Sequence, residues 1–262
     1  MQIAFFGDSF CCENSGYIAK LSTHFKADVV SLGHAASSVW DLLLIQFKKY
    51  RETNKYPDVC IFIWTAPGKL YHRKHRNLNL GSVSESGQTK FHPVWKAAKA
   101  YYEHLSDPEK EQEEYLAFMN YMDTVILPEL PRTTSIIHLW SFGKIEKFTD
   151  EVFDPSIAQY YHTWKTGVEI RPPLACISLV DSSLEEMAVA SNHLDSELKN
   201  ELVYKLIVNA IEQNQSQDAT ANVASYWKDY PPKKRKITFR TRIQNFIRLF
   251  KKDKTDDPFI YI

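Results

Sequence analysis

Cysteine is scarce in this chain of 262 residues, which holds four: Cys11, Cys12, Cys60 and Cys176. None falls at a metal-ligand spacing, and the adjacent pair Cys11-Cys12 cannot easily bridge itself. This usage argues against a disulfide framework and suits a reducing compartment. Long apolar runs are missing as well. No stretch approaches the ~20 apolar residues of a membrane span. Ile3–Phe6 is too short, and lacks the basic flank, to be a secretory leader. The expected setting is cytoplasmic. Net charge is absent too, since 32 Lys and Arg balance 32 Asp and Glu. The balance is local, however. Residues 228–254 contain 11 basic and 2 acidic residues, leaving 21 basic and 30 acidic residues in the remainder. An acidic body carries a basic tail.

What is present is apolar patterning. Hydrophobic residues make up 44% of the chain and aromatics 13%, enough for a large core. Ile3–Phe6, Val29–Leu32, Val59–Trp64 and Ser135–Trp140 read as strands, and Val59–Trp64 is apolar enough for a parallel strand buried on both faces. Leu174–Leu179 is a candidate last strand. Helical spacing appears over Tyr17–Phe25, Val39–Phe47 and Trp95–Leu105. It appears again after Ser106-Asp107-Pro108-Glu109, which looks like a fresh N-cap, as far as Leu127, and from Leu198 to Ile211. Strands alternating with helices predict a flavodoxin-like three-layer α/β/α fold with a mostly parallel sheet. The expected organisation is an α/β domain over 1–212 with a helical and aromatic insertion around 68–173. A polar linker at 213–222 and a basic amphipathic extension at 223–262 follow.

The chemistry starts at Ile3–Ser9, which reads I-A-F-F-G-D-S. An apolar run followed by Gly7-Asp8-Ser9 describes a buried strand ending in a sharp turn with a serine at its tip. Open α/β folds place nucleophiles at such strand ends. The same three residues also make an ordinary turn. The motif resembles the first block of the SGNH, or GDSL-like, hydrolases. That resemblance makes Ser9 the nucleophile, and Asp8 is counted with it among the catalytic candidates. Gly33-His34-Ala35-Ala36-Ser37-Ser38 resembles the family's second block, with Ala36 where the oxyanion glycine stands; a backbone N–H donor does not require glycine. The third block, Gly-x-Asn-Asp, is replaced by Thr65-Ala66-Pro67-Gly68, so Thr65 becomes the substitute side-chain donor. Ser191-Asn192-His193-Leu194 resembles the last block and makes His193 the base. The block's acid is replaced by Ala190, leaving Asp181, Asp195 or a backbone carbonyl to orient the ring.

Ser9, Ala36 and Thr65 thus form the expected oxyanion hole. His34, His72 and Arg73 are the candidate substrate-binding residues. The last two head a polar segment, 68–94, read as a loop that walls the site for an anionic or sugar-rich substrate. His162 is a candidate pocket residue, whereas His138, alternating within a strand, is expected in the core. No cofactor and no metal are implied.

The leading reading is an esterase acting on a small-molecule or saccharide ester such as an O-acetyl group. The alternative is a catalytically degenerate protein of the same fold with an interaction or structural role. A third reading uses the tail. Thr238–Lys252 places Phe239, Ile243, Phe246, Ile247 and Phe250 on one stripe among basic residues, suited to nucleic acid, to an anionic membrane or to docking on the acidic body. Docking is the expected outcome.

Overall fold

Val59–Trp64 offers no polar side chain to water, and the fold buries all six residues at the centre of a parallel sheet. The computed structural model describes residues 1–12, 16–35, 37–75, 78, 83, 92–141, 160–178, 194 and 196–229. Its strands are β1 (Gln2–Phe6), β2 (Asp28–Ser31), β3 (Val59–Trp64), β4 (Ser135–Trp140), β5 (Val168–Arg171) and β6 (Gln217–Asp218). They pair in the order β2-β1-β3-β4-β5-β6, every pair parallel. Parallel neighbours need crossover connections, and helices supply them. These are α1 (Gly16–Phe25), α2 (Val39–Asp41), α3 (Lys48–Thr53), α4 (Pro93–His104), α5 (Pro108–Tyr121), α6 (Leu174–Ser178), α7 (Glu197–Gln213) and α8 (Thr220–Asp229). The three-layer α/β/α architecture expected from the pattern is the one observed.

Strand alternation divides the core. Ile3, Phe5, Ile61, Ile63, Ile137 and Leu139 face α1 and α7, where Ile18, Leu21, Val203 and Ile207 meet them. Ala4, Phe6, Phe62, Trp64 and Trp140 face the other layer, packing with Leu42, Phe47, Tyr115, Phe118 and Met122. Each large side chain so buried contributes about 1.5–3 kcal/mol. The α5 helix begins on Asp107, whose carboxylate accepts from the N–H groups of Glu109 and Lys110, and Pro108 sits in its first turn.

Two expectations need correction. Leu174–Ser178 is helix rather than strand; Pro172 and Pro173 before it lack the N–H that a central strand donates. The strand lies just upstream at Val168–Arg171. The segment 213–222 is no free linker either. Gln217 and Asp218 pair with Ile170 and Arg171, and α8 starts at Thr220, burying Val223 in the core. Backbone hydrogen bonding, which carries no side-chain signature, recruits this polar stretch. Part of the 68–94 segment is also packed, since Leu78 and Val83 are buried with Trp95 and Ala98 of α4. The basic stripe beyond residue 229 lies outside the described residues. Among the described residues no helix is long and apolar enough to cross a membrane.

Candidate active site

Polar groups converge where β1 ends. Gly7 and Asp8 lead from the strand into a short 3-10 turn, Ser9–Cys11. Asp8 is 1% exposed. Its Oδ1 accepts from the Phe10 N–H at 3.2 Å, and its carbonyl accepts from the Cys11 N–H at 3.1 Å. The Tyr17 hydroxyl, on α1, donates to the Phe10 carbonyl at 2.7 Å, and the Ser31 hydroxyl, on β2, donates to the Cys11 carbonyl. The turn is thus held from both flanks, with Ser9 itself half-buried.

The approach to the turn is held as tightly. The Gln46 amide is buried. Its Oε1 accepts from the Gly7 N–H at 2.7 Å, and its Nε2 donates to the Gly7 carbonyl at 2.8 Å. The Ser37 hydroxyl and the His34 N–H reach the same carbonyl at 2.8 and 3.1 Å. Gln46 belongs to a π-helical turn, Leu42–Gln46, inserted between α2 and α3; such turns recur at functional sites. Two glycines make the close packing possible. A Cβ on Gly7 would lie 2.7 Å from the Ile63 carbonyl oxygen, and one on Gly33 would lie 2.5 Å from the Cys11 carbonyl oxygen.

The predicted residues fall as follows. Ser9, Asp8, His34 and Thr65 all lie at the C-terminal ends of β1, β2 and β3. Ala36 and His193 lie outside the described residues. His34 Nδ1 is 2.9 Å from Asp41 Oδ2, and that carboxylate also accepts from Gln46 Nε2 at 2.9 Å. An ionised Asp41 makes Nδ1 the protonated ring nitrogen and leaves Nε2 of a neutral imidazole as the acceptor. Thr65 is 3% exposed. Its hydroxyl accepts from Lys69 Nζ, and its carbonyl accepts from the Tyr115 hydroxyl.

Lys69, like Gln46 and Asp41, is a residue that sequence reasoning passed over. Its Nζ lies 3.6 Å from Asp8 Oδ2, an ion pair rather than a hydrogen bond. Burial pushes its pKa below the ordinary lysine value, and Asp8 pulls it partly back. Lys69 also lines a cavity of 210 Å³ between Ser38–Trp40, the segment 66–71 and α5, with Glu111, Glu114 and Tyr115 on the α5 side. His72 and Arg73 do not line that cavity. His72 Nδ1 accepts from the N–H groups of Lys74 and His75, both at 3.1 Å, and Arg73 is exposed.

One late segment is tied to this edge. The Asn200 amide, on α7, donates to the carbonyls of Leu194 and Ser196 at 2.7 and 2.9 Å, while its Oδ1 accepts from the Tyr17 N–H at 2.8 Å. Leu194, the chain neighbour of His193, is thereby linked to the start of α1, the helix whose Tyr17 braces the serine turn.

Two further histidines pack into the aromatic layer. His138 is buried, accepts from Trp64 Nε1 at 3.0 Å and faces the Thr166 carbonyl at 2.8 Å. His162 is paired with the buried Asp123 at 3.1 Å rather than lining the cavity. Among the described residues no group of three or more His, Cys, Asp or Glu is placed to hold a metal ion.

No family model matches the chain, and no curated protein matches it. Among solved structures, an acetyl xylan esterase is similar to it with 15% identity and a TM-score of 0.35, over 98% of this chain and 100% of that one. A likeness at that level passes neither site nor substrate from that protein to this chain.

Proposed function

We propose that this chain is a serine hydrolase of esters, with Ser9 as nucleophile and His193 as base. The observation that carries the reading is the serine turn. Ser9 follows the C-terminal end of a central parallel strand, and its turn is fixed by Gln46, Asp8, Tyr17 and Ser31. Fixing a turn to this degree is what a nucleophile needs, because reacting atoms must be held near their attack geometry. The Asn200 link supports the choice of His193 as partner, since it fastens the neighbouring Leu194 to the same edge.

In the proposed reaction Ser9 Oγ attacks the ester carbonyl carbon and its proton passes to the His193 imidazole. The carbonyl oxygen becomes an oxyanion, taken by the N–H groups of Ser9 and Ala36 and by the Thr65 hydroxyl. The carbon–oxygen bond to the alcohol breaks, and the leaving oxygen takes the proton from the imidazolium. Water then attacks the acyl-Ser9 ester, giving its proton to His193. Collapse releases the carboxylic acid and returns the proton to Ser9. An O-acetylated saccharide is the substrate class we favour, with Trp40, 42% exposed on the cavity wall, as a stacking face.

A second reading is a non-enzymatic protein of this fold. It is favoured by Thr65-Ala66-Pro67-Gly68 standing where the resemblance calls for Gly-x-Asn-Asp. One experiment decides between them. A fluorophosphonate probe should modify Ser9 of the full-length protein, with p-nitrophenyl acetate hydrolysed in parallel. Intact-mass and peptide analysis showing no adduct at Ser9 would sink the hydrolase reading.

A further inference from the structure

Lys69 is a largely buried cation to which the reaction above gives no role. Its side chain is 14% exposed. Its ammonium donates to the Thr65 hydroxyl oxygen and lies 3.6 Å from Asp8 Oδ2. An ammonium has donors only, so the Thr65 oxygen is the acceptor in that bond. The Thr65 hydroxyl proton must therefore point to another partner. Thr65's own carbonyl is occupied by the Tyr115 hydroxyl, which pins the residue's backbone as Lys69 pins its side chain. Lys69 also lines the cavity described above.

We propose that Lys69 is a positioning residue for ester hydrolysis: anchored by Asp8, it fixes Thr65 as a hydroxyl donor aimed at the ester's carbonyl oxygen. The inference rests on the hydrolase reading. It explains how a threonine does the work of an amide donor. A lone hydroxyl rotates and accepts as readily as it donates, whereas one whose lone pair is taken by an ammonium is left to donate. Asp8 then has two tasks, capping the serine turn with Oδ1 and holding the lysine with Oδ2.

Charge matters to this arrangement. Among the described residues, Asp8 at the tip of β1 pairs with Lys69, and the ionisable groups that share its cavity are Tyr71, Tyr101 from α4, and Glu111, Glu114 and Tyr115 from α5. Because burial lowers the lysine's pKa, turnover should fall on the alkaline side as Lys69 loses its proton, at a pH below that of an ordinary lysine. An arginine at 69 stays charged, so that limb should move to higher pH.

The test compares the full-length parent with Lys69→Met, Thr65→Val, Lys69→Arg and the double variant Lys69→Met/Thr65→Val. The readouts are the rate of fluorophosphonate labelling at Ser9, kcat and KM for p-nitrophenyl acetate, and circular dichroism. Each single removal should slow labelling by about 10², mostly in kcat. The double variant should be no slower than Thr65→Val alone, since the lysine acts through the threonine. Lys69→Arg should keep a rate within about tenfold of the parent and lose the low alkaline limb. Labelling of Lys69→Met as fast as the parent overturns the proposal. So does a double variant whose loss is the product of the two single losses. If Lys69→Met does not fold, an alkaline limb unmoved in Lys69→Arg overturns it. A parent that forms no adduct at Ser9 removes the hydrolase reading and this inference together. Adducts that form alike in parent and variants remove only the inference.

Discussion

Two imidazole–carboxylate pairs in this molecule look alike and hold different things. His34 meets Asp41 at 2.9 Å, and His162 meets Asp123 at 3.1 Å. In both, the carboxylate is buried. The difference lies in what else the carboxylate touches. Asp123 also receives the N–H groups of Lys165 and Thr166 at 3.1–3.3 Å. It braces the chain entering β5, beneath stacked Trp164, His138 and Trp64. Asp41 receives Gln46, and Gln46 holds both backbone groups of Gly7. One pair supports an aromatic wall. The other ends a relay that stops two residues short of Ser9. Resemblance in local geometry therefore says little about role, which is read from the second contact of each carboxylate.

That contrast yields predictions that separate chemistry from stability. The largest effect belongs to Ser9→Ala. Turnover and fluorophosphonate labelling should drop by at least ~10³, while stability changes by no more than about 0.5 kcal/mol, since a turn position away from the core has little packing to lose. A melting curve collapsed by this substitution would mean that the turn is structural.

Next comes Asp123→Ala, which strands two backbone N–H groups and His162 without their acceptor. A loss of about 3 kcal/mol is expected in urea unfolding, with the labelling rate of the folded fraction unchanged. Slower labelling at full stability would reverse the assignment of the two pairs.

The aromatic wall should also respond to pH. Burial lowers the His138 pKa to about 3, whereas the unfolded ring titrates near 6.5. Below that value the unfolded chain binds the proton that the folded one refuses. Stability is therefore full above about pH 6.5 and falls by roughly 1.4 kcal/mol per pH unit as the pH drops toward 3. His138→Gln should lose this portion of the acid slope. An identical slope in both proteins would locate the titration elsewhere.

His34→Gln should cost far less stability than Asp123→Ala, under about 1 kcal/mol, because the ring is part-exposed and its carboxylate keeps Gln46. Labelling of Ser9 should nonetheless slow several-fold, as the relay to Gly7 loosens. If His34→Gln costs as much stability as Asp123→Ala, the two pairs do the same job.

Much of the scaffold could be read from the chain. The β1, β3 and β4 strands announce themselves as apolar runs, and Asp107-Pro108 marks the start of α5. The β5 strand did not, because V-E-I-R looks polar. Its Glu169 is buried only because Trp140 Nε1, at 2.8 Å, and Arg171, at 2.7 Å, satisfy it there. Its apolar–polar alternation runs for only four residues, too short to stand out from the irregular stretch before it. Leu174–Ser178 misled in the opposite sense, since a short apolar run fits strand and buried helix equally. At the site, Asp8 and Ser9 were legible because they are contiguous. Gln46, Asp41 and Lys69 were not. Gln46 acts on the backbone of Gly7, far back along the chain, Asp41 acts through Gln46, and Lys69 lies in a segment whose composition reads as loop. The signal that existed was a glutamine among Leu42, Leu43 and Phe47, a polar residue on a face that should carry none.

The order of synthesis adds a last consequence to the strand order. Of the six strands β1 is made before the others, yet it lies between β2 and β3, with Gly7 fitted against Ile63. Asn200 adds a tie from the far end of the chain. The serine turn is thus made before the elements that hold it, and it is completed only when they arrive. We expect chains stalled on the ribosome before α7 has emerged to resist the fluorophosphonate probe, and longer ones to acquire reactivity abruptly. Such timing would keep an unfinished nascent chain from carrying a reactive serine; early labelling of short stalled chains would disprove it.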